Sequence, residues 1–288
     1  MPPPLENSLK VAHYSAEARL RHPWQMIVSI FEGMLDSRDL AWQLFLRDIR
    51  QRYRQSVLGV VWVIVPPIVT TLIFIVLNER KILNITQTDI PYPIYVMFGT
   101  LLWQVFAESV INPLKQFEAC TPIMIKINMP REAPILSSIW QSLFFFAMQA
   151  VVACGAFIYF DLDLSWATLL ALPIILLMII MGTVIGVLLV PLGALYKDVG
   201  ETIGYFLRIA FFLTPIVYPP PTSWPYSLLV QYNPVTPLLM GARDLLTKGA
   251  VAEIMPILMV SGGVFIVGVI ALILFRIAIP IVLERMGA

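Results

Sequence analysis

Six stretches of this sequence, 55–78, 90–107, 133–160, 164–196, 209–242 and 254–275, run without one Asp, Glu, Lys or Arg. A helix needs roughly 20 apolar residues to cross the hydrocarbon core of a bilayer. Five windows are clearly that long, and the shortest, stopped by Glu108, is strongly apolar over "YPIYVMFGTLLWQVF". Only 13% of the residues are charged and 59% are hydrophobic, with a mean hydropathy of +0.83. A soluble domain carries about 25% charged residues. The sequence therefore predicts an all-α integral membrane protein with six transmembrane helices, near 57–77, 93–112, 135–159, 167–190, 201–218 and 254–276.

The window 209–242 is too long and too broken for one helix. Pro219, Pro220, Pro221, Pro225, Pro234 and Pro237 fall in it or at its centre, and each removes a backbone donor. Broken chain at membrane depth is tolerated where it packs inside protein or lines a cavity. Residues 219–250 are expected to form short re-entrant or surface helices between spans five and six. A seventh span is the alternative.

Six spans place both termini on one side. That side would carry eight Lys/Arg before residue 55, then Lys115, Lys126, Arg131, Lys197, Arg276 and Arg285, against Arg80, Lys81, Arg243 and Lys248 on the other. The bias puts both ends in the cytoplasm. The N-terminal residues lack an apolar core, which predicts no cleavable signal peptide. The net charge of +1 excludes a general affinity for nucleic acid. Cys120 and Cys154 are far apart with no metal or redox spacing, and no disulfide is expected.

Just before the first span, "RDIRQRYR" sets five charges within eight residues against an apolar run. Trp42, Phe45, Leu46, Ile49 and Tyr53 recur at helical spacing, with Gln43, Arg47, Arg50 and Arg54 on another face. That is an amphipathic helix over 39–55 lying in the membrane interface, capped by Asp36, Ser37 or Asp39. Arginines beside a first span can serve orientation alone, but four turns of helix suit a platform that meets a partner. The first inner loop contains "TPIMIKINMPRE", a short mixed segment suited to act as a lever tied to two spans. An ordinary solvated turn is its plainer reading.

No chemistry of its own is legible in the chain. There is no G-x-x-x-x-G-K-[ST] loop for nucleotide phosphates, and no His/Cys/carboxylate cluster for a metal. Both histidines, His13 and His22, lie in the N-terminal tail. Within the spans the ionisable residues are Glu108 and Arg208, both near the inner interface, where they could pair or snorkel. Carboxylates near the midplane, expected of an ion-coupled carrier, are missing. A stand-alone channel or carrier and an intramembrane enzyme both lack their residues, the outer acids Asp161 and Asp163 being isolated.

Five segments in order, "RYRQSVLGVVWVIVPP", "FGTLLWQVFAES", "KINMPREAPILSS", "LYKDVGETIGYFLRIAFFLTPIVYP" and "YNPVTPLL", resemble the permease subunits of ABC-2 type exporters that move O-antigen, capsule or teichoic-acid polysaccharides. The likeness spans about residues 40–276 and leaves the tail 1–38 outside it. It implies a bacterial inner-membrane domain over 56–276, with a short cytoplasmic tail at 277–288. The working unit would be a homodimer with two separate ATPase subunits, which bind ATP and Mg²⁺, and this chain would bind no cofactor. The cargo would be a lipid-linked polysaccharide; export of small molecules or drugs is the nearby alternative. By the same resemblance, 119–132 would be the coupling helix, with Lys126, Arg131 and Glu132 as polar contacts of the ATPase and Met124, Ile127 and Met129 as apolar ones. Arg47, Arg50 and Arg54 would belong to the interface helix. Tyr232, Asn233, Pro234 and Pro237 would stand at an outer gate.

Aromatic faces pack on the C–H patches of sugar rings without requiring one hydrogen-bond pattern. Trp62, Trp103, Phe106, Phe145, Tyr159, Phe206, Phe212 and Tyr218 are the candidate channel residues. For any single one of them, core packing or the interfacial aromatic belt is the better reading.

Overall fold

The computed structural model describes residues 32–54, 59, 61–82, 85, 88–127, 129–162, 166–221 and 223–287. Most of the expected N-terminal tail, the 55–58 entry into span one, Asp163 and the side chain of Tyr53 lie outside the described residues. Among the described residues every regular element is α-helical: α1 (Arg38–Arg54), α2 (Val61–Glu79), α3 (Tyr92–Lys126), α4 (Ala133–Tyr159), α5 (Trp166–Leu169), α6 (Ala171–Leu195), α7 (Asp198–Leu213), α8 (Tyr226–Tyr232), α9 (Val235–Thr247) and α10 (Met255–Gly287). Five of them, α2, α3, α4, α6 and α10, are long and apolar enough to cross a membrane. The expected fifth span, 201–218, is instead the 16-residue α7 followed by irregular chain. At 1.5 Å per residue α7 is about 24 Å long, short of the roughly 30 Å hydrocarbon core. The region 219–250 holds two short helices of 7 and 13 residues, each too short to be a seventh span.

Helix α3 is the axis of the molecule. It starts after Pro91 and runs for 35 residues through Pro113 and Pro122, with most of its length buried. It packs on α6 through small residues. A Cβ on Gly182 would lie 2.7 Å from Ser109 Cβ, and one on Gly186 would collide with the Val110 carbonyl. Lipid tails give helices no hydrophobic drive to associate, so close approach over small residues is what holds such a pair. Met178, Leu238, Leu239 and Ala242, all fully buried, extend this core from α6 into α9. A second cluster, around Phe117, Val190, Phe275 and Ile279, joins α3, α6 and α10 nearer α1.

Helix α2 carries Pro66 and Pro67 inside it. Pro67 has no N–H for the carbonyl of Val63, four residues back. Gln149 of α4 supplies a donor there through a long 3.5 Å bond, and also donates to Gln104 of α3 at 2.8 Å. A break in one helix is thus satisfied by its neighbours.

Several expected boundaries move. The segment 119–132 is not a separate helix: 119–126 are the last turns of α3, and 127 and 129–132 lie outside any helix, between α3 and α4. The last helix continues through Gly287, so 277–287 extend it without a break. Helix α1 begins at Arg38, and its docked face is Ala41, Leu44 and Phe45, while Trp42 stays largely exposed. Of the expected face Trp42, Phe45, Leu46, Ile49 and Tyr53, Phe45 is buried against Phe144 of α4, Leu46 and Ile49 are half-buried, and Trp42 meets Trp140 edge-on while staying largely exposed.

Candidate functional site

A groove of about 810 Å³ opens between α2, α3 and α7. Its walls include Trp62 and Phe74 of α2, Trp103 of α3, Phe145 of α4, and Phe211 and Phe212 of α7. Trp62 is 58% exposed, while Trp103 is nearly buried and meets Phe211 edge-on with ring centroids 6.2 Å apart. The polar lining is sparse: Thr70, Thr100, Gln104 and Glu108, with Arg52 and Arg208 toward the end that carries α1. One carboxylate oxygen of Glu108 is buried without a hydrogen-bond partner. Of the two alternatives for Glu108 and Arg208, pairing and snorkelling, pairing is not seen: no ion pair joins them among the described residues, and Arg208 lies 5.3 Å from the Tyr205 ring centroid. Such a surface, with flat apolar faces and few hydrogen-bonding groups, can hold a long chain of sugar rings without fixing it in one register.

The structure brings Trp62, Trp103, Phe145 and Phe212 together on this groove. Phe106 is buried behind Trp103, 5.4 Å between centroids, and belongs to the core. Tyr159 and Phe206 are exposed and outside the groove. Tyr218 donates its hydroxyl to the Phe212 carbonyl at 2.8 Å, just past the end of α7.

Beyond α7 the chain runs irregularly from Thr214 to Tyr218, with Thr214, Ile216 and Val217 buried. Its carbonyls find side-chain donors, as buried backbone requires. Tyr92 donates to Val217 O at 3.0 Å and Tyr95 to Tyr218 O at 2.9 Å. Arg243 Nη1 reaches Pro215 O at 3.3 Å and Ile216 O at 3.4 Å. Gly99 permits this approach, since a Cβ there would lie 2.5 Å from Ile216 O. Arg243 was counted with the outer-loop charges, but it is 3% exposed. The available signal was its place as the first charge after the apolar 209–242 run.

The gate candidates sit beside this segment. Asn233 donates to Thr214 Oγ1 at 2.8 Å and its Oδ1 accepts from the Val235 N–H at 3.0 Å, opening α9. Tyr232 is 78% exposed and Pro234 is exposed. Nearby, Lys248 donates to Asp89 at 2.9 Å and lies 3.2 Å from Asp244. Desolvation lowers the Lys248 pKa, yet its hydrogen bonds to the two carboxylates outweigh that and raise it; the same bond holds Asp89 below its ordinary value.

At the opposite end, α1 is locked by a polar cluster that sequence reasoning missed. Asp48 accepts from Gln116 of α3 at 2.6 Å and Gln141 of α4 at 3.3 Å, and pairs with Arg47 at 2.8 Å. Burial works to lower the Arg47 pKa, but the bond and charge of Asp48 outweigh it and raise it. Arg50 and Arg54 are exposed. Of the expected coupling residues, Lys126 and Ile127 are exposed, Arg131 and Glu132 are half-buried, and Glu132 lies against Gly33. Met124 and Met129 do not face outward; both pack into the cluster around Phe117. Cys120 and Cys154 are both free.

The family described as ABC-2 type transporter matches residues 39–247, which take in α1, the groove and α9. The chain is 28% identical over 240 residues to an O-antigen export system permease protein RfbA of Klebsiella pneumoniae, covering 80% of this chain and 88% of that one. A protein of the same name from Myxococcus xanthus is 20% identical over 236 residues, covering 81% and 89%. The polysialic acid transport protein KpsM of Escherichia coli is 23% identical over 224 residues, covering 73% and 82%. With the match running across more than half its length, the chain belongs to the ABC-2 type transporter family.

Proposed function

We propose that this chain is the membrane-spanning permease subunit of an ABC exporter that moves a lipid-linked cell-surface polysaccharide across the bacterial inner membrane. The observation that carries this is the aromatic groove between α2, α3 and α7, in a chain whose relatives are named for O-antigen export and polysialic acid transport. Energy comes from ATP, bound with Mg²⁺ on two separate ATPase subunits. Two copies of this chain face each other, and the polymer passes along the groove. Helix α7 together with the irregular Thr214–Tyr218 segment makes the sixth crossing, the buried segment continuing the span where the helix stops. The short helices α8 and α9 are then re-entrant from the outer side, and both termini are cytoplasmic, as the distribution of Lys and Arg favours. Exposed Lys126, with Arg131 and Glu132, meets the ATPase at the inner turn between α3 and α4.

The test is deletion in the native host, with surface polysaccharide compared with lipid-linked polymer held inside. Loss at the surface with accumulation inside is the expected result. An unchanged surface glycan overturns the reading and leaves export of a small molecule in its place.

A further inference from the structure

The groove wall α7 is held very differently along its length. Leu207 is its only buried residue, and Cβ atoms added at Gly200 or Gly204 would meet nothing within 4 Å. Just past its far end, the carbonyls of residues 215–218 are all tied to α3 and α9 by side chains. We infer that Arg243 is a positioning residue that pins the outer end of the groove wall, making Thr214–Tyr218 a fixed pivot about which the inner part of α7 swings. The inference rests on the export reading only for what the swing serves.

The guanidinium is suited to this. Nη1 spans two successive carbonyls, Nη2 donates to the Tyr95 hydroxyl at 2.8 Å, and the Cζ lies 3.6 Å from the centroid of the same ring. Tyr95 passes the connection on by donating to Tyr218 O. No carboxylate pairs with Arg243 among the described residues, and Asp244 is engaged by Lys248. Its charge is met by dipoles and a ring face, all fixed to the core helices α3 and α9 or to the pinned segment itself. Pulling the segment away would leave a buried cation and several carbonyls unsatisfied, which is costly in a medium without water. The inner part of α7, by contrast, gives up little when it moves. Groove width therefore changes between Gly204 or Arg208 and Arg52 or Glu108, and stays constant near Phe211 and Phe74.

Spin-label distances in the assembled complex test this, in a chain with Cys120 and Cys154 replaced by serine. One label pair, Leu213→Cys with Leu172→Cys, reads the outer end; the other, Tyr205→Cys with Leu192→Cys, reads the inner part. Without mutation of Arg243, the outer pair should give one narrow distribution with and without trapped nucleotide, while the inner pair shifts. Arg243→Met and Tyr95→Phe should each at least double the width of the outer distribution and leave the inner shift in place. Arg243→Lys, which keeps the charge and loses the fork, should behave like Arg243→Met. A purely structural role would disturb both pairs alike. An outer pair that shifts with nucleotide, or stays narrow in Tyr95→Phe and Arg243→Lys, overturns the pivot. Tyr95→Phe keeps the ring and carries the test if Arg243→Met does not assemble. Failure of the ATPase to assemble with the chain would refute the export reading; the outer distribution without nucleotide would still decide the pin.

Discussion

The carboxylate of Asp48 accepts the side-chain amide of Gln116 at 2.6 Å, fastening the helix before the first span to the longest buried helix. A charge-assisted bond of this kind contributes about 1.5–3 kcal/mol, and Arg47 and Gln141 complete the cluster. Asp48→Ala should loosen α1 without unfolding the bundle. Cys120 lies beneath it, fully buried, so with Cys154→Ser its labelling by a maleimide should speed up about tenfold or more. An unchanged rate would mean that Ala41, Leu44 and Phe45 hold α1 by themselves.

Gly99→Ala tests the close approach of the irregular segment. The new Cβ would stand 2.5 Å from the Ile216 carbonyl, a backbone atom with no free rotation. Overpacking of this kind costs about 1–3 kcal/mol. The variant should unfold at lower temperature in detergent and export less, in proportion to the displacement of Thr214–Tyr218.

Trp62 and Phe106 separate groove from core. Trp62→Ala should lower export about tenfold while stability changes by about 0.5 kcal/mol or less, because the side chain is largely exposed on the groove. Phe106→Ala removes a buried ring and should cost about 3–5 kcal/mol of stability. Measuring both thermal unfolding and surface polysaccharide distinguishes the two; equal stability losses would place Trp62 in the core.

The turn between α3 and α4 makes a parallel distinction. Lys126→Glu and Arg131→Ala should leave thermal unfolding unchanged and weaken ATPase association or stimulated hydrolysis several-fold. Met129→Ala should instead lower stability, by about 1–3 kcal/mol, since its side chain packs into the Phe117 cluster. Normal coupling in both charge variants of the reconstituted complex would remove 126–131 from the ATPase interface.

Much of the architecture follows from local sequence. A run of twenty apolar residues has one low-energy solution in a bilayer, so α2, α4, α6, α10 and the first half of α3 were legible from missing charge, while the continuation of α3 past Glu108 to Lys126 was not, and the prolines of 219–237 announced short helices. The amphipathic α1 was legible from its arginines, though not which face would dock, because that depended on Phe144, Trp140 and Gln116 from other helices. The same limit applies to the aromatic candidates. Trp62, Trp103 and Phe212 line the groove and Phe106 does not, although all four look alike in sequence. Which side of a helix is covered is set by its neighbours, and a helix hydrophobic all round shows no preferred face. Arg243 marks the clearest division. Its position in the sequence looked like an outer-loop charge, and only the fold, by bringing the carbonyls of 215–216 and the ring of Tyr95 to it, made a buried cation stable.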